Sequence, residues 1–112
     1  MASLSSELLA ILAEPTRRRI LDLLLEAPRA VGELSAALEA TQPTTSKHLR
    51  VLREAGLVHV HPDAQRRVYA LRPERLVELD AWLAPYRRLW EARLDALESF
   101  LDQQPRTSEE HP

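Results

Sequence analysis

TQPTTSKHLRVLREAGLV, residues 41–58, is the stretch that decides the reading of this chain. Thr41 is a good N-cap, Pro43 suits a first helical turn, and Gly56 is a natural stop. A helix is therefore expected over about 42–55. Within it Thr45, Leu49 and Leu52 follow i, i+4, i+7 and should face a core. Thr44, Lys47, His48 and Val51 fall on or near the other side, with Arg50 flanking. Short hydroxyls near the start of a helix permit close approach to a neighbour. Gln42 can pair bidentately with adenine, Thr44 and Ser46 can bond phosphate or base edges, and Arg50 can serve phosphate or guanine. A solvated polar face, such as any surface helix has, is the alternative reading.

Upstream, Leu4, Leu8, Leu9, Ile11 and Leu12 give a short helix over 4–13. Glu14-Pro15 punctuates the chain and opens a second helix, about 15–27, with Ile20, Leu23, Leu24 and Ala27 on its core stripe and Pro28 after it. A third helix is expected over about 31–39, facing inward through Val31, Leu34, Ala37 and Leu38. Downstream, LVHVH (57–61) and RVYAL (67–71) alternate as strands about the polar PDAQR (62–66). That segment lacks Asn-Gly or Asp-Gly, so a loop of four or five residues is expected rather than two. Pro73 opens a last helical region. There Leu76, Leu79, Leu83, Tyr86, Trp90, Leu94, Leu97 and Leu101 recur at nearly heptad spacing, and Pro85 should kink or break the helix.

Helix-helix-helix-helix-strand-strand-helix, with a basic hairpin, is the order of a winged helix-turn-helix: mainly α with a small β-hairpin. Residues 1–102 are expected to form one DNA-binding and dimerisation domain, and the polar 103–112 a disordered tail. The chain has 112 residues, 45% of them apolar and 29% charged, enough for one modest core. Its net charge of -2 is unevenly spread. Residues 40–72 hold six basic groups against two acids, and 73–112 hold five against nine. The middle segment suits phosphates, with Arg66 and Arg67 in the hairpin able to neutralise them. The chain has no cysteine, which removes disulfides and thiolate metal sites and fits a cytoplasmic location. No membrane contact is expected, since no apolar run reaches spanning length.

The 41–58 stretch resembles the signature of the arsenical-repressor (ArsR/SmtB) family. Leu12-Ala-Glu-Pro-Thr-Arg-Arg-Arg-Ile-Leu21 is similar to its helix 1–2 junction, Val31-Gly-Glu-Leu34 to the start of helix 3, and Arg66-Arg-Val-Tyr-Ala-Leu71 to its wing. The likeness covers about residues 4–102. It implies a homodimeric repressor on double-stranded DNA, released from an inverted-repeat operator under the control of an effector. On this reading the DNA-binding residues are Gln42, Thr44, Thr45, Ser46, Lys47, His48, Arg50, Arg66 and Arg67. The terminal helices carry the dimer contacts through Leu8, Leu12, Trp82, Tyr86, Trp90, Leu94, Leu97 and Leu101. Thr45 stands where the family more often has valine. The family's thiolate sensors carry Cys-x-Cys at the start of helix 3, where this chain has Ala30 and Gly32. Its zinc sensors use Asp and His on the last helix, and residues 73–102 have no histidine. No metal and no cofactor is therefore expected. A small-molecule effector remains open, and so do its chemistry and the regulated genes.

Other features have two readings. His59 and His61 share a strand face at the spacing of two metal ligands, but two without a thiol or carboxylate rarely suffice; surface residues beside the wing are the better account. Trp82 and Trp90 suit packing or dimer contact, or stacking on a small molecule. Arg17, Arg18 and Arg19 suit phosphate, or ion pairs with Glu14 or Asp22. With two glycines and no nucleophile motif, nothing points to an enzyme. The rival class is a winged-helix adaptor that binds protein; the cationic outward set Lys47, His48 and Arg50 speaks against it.

Overall fold

The computed structural model describes residues 4–104. Four helices come first: α1 (Ser6–Ala13), α2 (Pro15–Glu26), α3 (Val31–Leu38) and α4 (Gln42–Glu54). Between α2 and α3 lies a two-residue strand, β1 (Arg29–Ala30). The hairpin is β2 (Val58–Asp63) and β3 (Arg66–Leu71), followed by a 3-10 turn (Pro73–Leu76) and α5 (Val77–Asp102). The sheet is antiparallel in the order β1-β3-β2. This is a winged helix-turn-helix.

Local chemistry sets the helix ends. Ser5 Oγ accepts from the Leu8 amide at 3.3 Å, the Glu14 carboxylate from the Arg17 amide at 3.1 Å, and Thr41 Oγ1 from the Thr44 amide at 3.3 Å. At the end of α4, Gly56 takes φ +79°. The Leu57 amide donates to Leu52 O and the Gly56 amide to Arg53 O, both at 2.9 Å, closing the helix in a Schellman pattern. Leu52 and Leu57, the two residues that this pattern brings together, are fully buried.

The core gathers Leu8 and Ile11 of α1, Ile20 and Leu24 of α2, Leu34 of α3, Leu49 and Leu52 of α4, and Leu57 and Val58 beyond it. These positions close the helix-turn-helix against the wing. No residue of α5 is fully buried.

The structure differs from the sequence reading at four points. The wing turn is two residues, Ala64-Gln65, because Asp63 pairs with Arg66, and Ala64 enters the left-handed region (φ 58°) without being glycine. The strand Arg29–Ala30 is too short to leave a periodic signal; it exists because Ala30 registers against Val68 and Arg29 against Tyr69. Helix α5 runs from Val77 to Asp102 with Pro85 inside it, so of the two expected outcomes the break does not occur. Leu8 is fully buried within the protomer, so it holds the core and is not a dimer contact. Residues 105–112, most of the expected tail, lie outside the described residues.

Candidate nucleic-acid interface

Helix α4 is seated by its inner face. Thr45, Leu49 and Leu52 are each completely buried. Thr45 was expected among the DNA contacts and is not available to be one: its Oγ1 accepts from Ser35 Oγ at 3.0 Å and donates to Thr41 O at 3.0 Å. Val51 is likewise drawn inward, packing half-buried against the core. These contacts fix the roll of α4, which leaves Gln42, Thr44, Ser46, Lys47 and Arg50 exposed.

His48 also departs from the outward set. It is half-buried against the start of α2, where Arg17 Nε donates to its Nδ1 at 3.4 Å and Glu14 Oε2 lies 3.6 Å from the same nitrogen. Desolvation pushes the Glu14 carboxyl up. The amides of Thr16 and Arg17, helped by the charges of His48 and Arg17, outweigh it and hold the group below its ordinary value. The two neighbouring arginines brace the fold. Arg18 donates to Leu12 O at 2.7 Å and Arg19 to Ala37 O at 2.8 Å. Neither forms an ion pair with Glu14 or Asp22.

The wing brings its cations to α4. Arg66 and Arg67 of β3 share an open cleft with Ser46 of α4 and Gly32 of α3. Arg66 Nη1 lies 3.7 Å from Glu33 Oε1. Among the described residues no carboxylate lies within 4 Å of Lys47, Arg50 or Arg67. A row of polar and uncompensated cationic groups thus runs from α4 onto the wing, the arrangement that phosphate neutralisation requires. His59 and His61 stand exposed on β2 with ring centroids 5.9 Å apart. Among the described residues no third ligand joins them.

Along α5, Trp82, Tyr86, Trp90, Leu94, Leu97 and Leu101 are all exposed by 40–62%. Leu89 and Phe100 join them, two residues that the heptad count passed over because they lie beside its seam. Leu12 of α1 is half-buried.

The middle of the chain, residues 14–60, matches the model of the bacterial regulatory proteins of the arsR family. An HTH-type transcriptional regulator of Mycobacterium tuberculosis, Rv2034, is 41% identical over 91 residues, 81% of this chain and 82% of that one. The chain belongs to the ArsR family. The fold agrees with solved members. The crystal structure of a possible transcriptional regulator for arsenical resistance superimposes with a TM-score of 0.64 at 38% identity, covering 90% of this chain and all of the other. The solution structure of the homodimeric winged helix-turn-helix DNA-binding domain Mb0332 of Mycobacterium bovis gives 0.60 at 28% identity over 79% of this chain and 91% of that domain. This ArsR-family protein is a DNA-binding transcriptional regulator, and its family is not a class of enzymes. None of its described helices is long and apolar enough to cross a membrane.

Proposed function

We propose that this regulator is a homodimeric repressor that seats one copy of α4 in each of two successive major grooves of an inverted-repeat operator and represses by excluding polymerase. The observation that carries the reading is the exposed face of α4, Gln42, Thr44, Ser46, Lys47 and Arg50, running onto Arg66 and Arg67, with no carboxylate among the described residues within 4 Å of Lys47, Arg50 or Arg67. On an adaptor that binds protein, those cations would find carboxylates or be replaced by apolar groups. Gln42 reads bases, Thr44 and Ser46 approach the backbone closely, and Lys47, Arg50, Arg66 and Arg67 neutralise phosphates.

The second copy is supplied by α5. Twenty-six residues of helix span about 39 Å. The radius of gyration is 21.1 Å, against about 13 Å for a compact domain of this size. A helix that carries a long exposed apolar row is stable in water when another copy covers that row. The dimer contacts are then Leu12 with Trp82, Tyr86, Trp90, Leu94, Leu97 and Leu101.

Selection of bound duplexes from a random pool tests the reading. The expected product is an inverted repeat with half-site centres about 10 base pairs apart, bound by a dimer. A reporter placed behind that site should fall in output when the protein is supplied. A monomer without affinity for any duplex would overturn the proposal.

A further inference from the structure

The cleft between the start of α3, the middle of α4 and the base of the wing has a volume of about 510 Å³, within the range of small-molecule sites. Ala30, Val31 and Tyr69 give it an apolar floor, and Ser46, Arg66 and Arg67 stand at its polar rim. Glu33 also lines it, but that carboxylate is engaged: its Oε1 accepts the Ala30 amide at 2.8 Å and lies 3.7 Å from Arg66 Nη1. Arg67 has no such partner among the described residues, so one positive charge is left over beside an apolar surface.

That combination selects a ligand class. A bare inorganic anion would meet Arg67 and leave the floor wet. A neutral apolar molecule would cover the floor and leave Arg67 unused. We infer that the cleft binds an organic monoanion, an aromatic or short acyl carboxylate, with its apolar body on Ala30, Val31 and Tyr69 and its carboxylate on the Arg67 guanidinium. A planar guanidinium matches a carboxylate bidentately, which orients the ligand as well as holding it. The bound ligand takes Arg67 and overlies Ser46. Both belong to the DNA face proposed above, so ligand and duplex compete directly; this last step rests on that reading.

The test uses 1-naphthoate as probe, titrated calorimetrically into the full chain, with 1-naphthamide as its uncharged counterpart and inorganic phosphate as its charge without a body. Naphthoate should bind about tenfold more tightly than naphthamide and lose about tenfold in Arg67→Gln, the worth of one charge-assisted pair. Phosphate at equal concentration should not displace it. No binding by naphthoate, equal binding by naphthamide, indifference to Arg67→Gln, or displacement by phosphate would each overturn the site. Naphthoate should also raise the apparent Kd of the selected operator duplex in proportion to its own occupancy; both binding together without interference would overturn direct competition. The two readings fail separately. A chain that binds naphthoate and no duplex keeps the site and loses the operator, and a chain that binds duplex and no naphthoate does the reverse.

Discussion

The Ser35 hydroxyl donates to the Thr45 hydroxyl at 3.0 Å, linking the two helices of the DNA-binding motif inside the core. Both residues are buried, and the Thr45 hydroxyl in turn donates to Thr41 O. A buried donor stripped of its acceptor costs about 1–3 kcal/mol, whereas removing both partners together costs little. Thr45→Val should therefore destabilise the chain by about 1–2 kcal/mol in urea unfolding. The double variant Ser35→Ala/Thr45→Val should lose less than the two singles added. Strict additivity would show that the hydroxyls are not coupled.

This pair also marks where the sequence was legible. The inward spacing of Thr45, Leu49 and Leu52 was readable because a helical period is a local property, and all three are buried. The same helical period placed His48 and Val51 outward, and tertiary contacts drew both in: His48 toward Glu14 and Arg17, Val51 onto the core. The two-residue wing turn is not legible in the sequence, because its residue types carry no left-handed preference, yet strand register forces Ala64 to φ 58°. The family resemblance places α1 at the dimer interface, but it does not say which apolar residues of that helix face the protomer's own core, and Leu8 does.

Among the described residues two hold left-handed backbone without being glycine, Glu39 at φ 54° after α3 and Ala64 at φ 58° in the wing. A side chain there costs about 1–2 kcal/mol, part of which glycine returns through the freedom of the unfolded chain. Glu39→Gly should stabilise the protein by a net of about 0.5–1 kcal/mol, and Ala64→Gly should act in the same direction. Glu39→Ala keeps the strain and should gain nothing. Thermal unfolding of the three variants side by side decides the matter, and a loss of stability in Glu39→Gly would mean that the carboxylate has a role beyond the turn.

Glu14 gives the fold a dependence on pH. Its carboxyl titrates below the ordinary value of 4.5 when folded, so between the two values the unfolded chain holds more protons than the folded one. The stability it contributes is complete above about pH 4.5 and disappears as the pH falls through the lowered value. Glu14→Gln should accordingly be less stable than the parent at neutral pH, and the gap should close on acidification below that range. A gap that persists unchanged to the acid limit would assign the effect to packing instead of charge.

In the interface proposed above, Gln42 and Arg67 divide the work of recognition. There Arg67 neutralises backbone, so Arg67→Ala should weaken every duplex alike. In a dimer it should reduce the slope of log K against log salt by about 2. Gln42 reads base edges, so Gln42→Ala should cost about 1–3 kcal/mol on the preferred operator and little on a scrambled one. Fluorescence anisotropy on both duplexes at several salt concentrations separates the two behaviours. Equal losses on both sequences from both variants would contradict this division.

In the proposed dimer, helix α5 connects assembly to binding. Leu94 is 62% exposed in the protomer, midway along the apolar row from Trp82 to Leu101. A carboxylate placed there would be buried without a partner in the dimer and solvated in the monomer, so Leu94→Glu should shift the equilibrium toward monomer. The operator then meets two independent copies of α4 instead of two that arrive together. Losing that coupling lowers apparent affinity by about a hundredfold or more, although no group that touches DNA has changed. Leu94→Met preserves volume and should leave both assembly and binding near the parent values. Sedimentation equilibrium and anisotropy on the same samples supply the two measurements. Dissociation without loss of affinity would show that one protomer suffices for the operator. Loss of affinity in a chain that remains dimeric would place Leu94 in some role other than self-association.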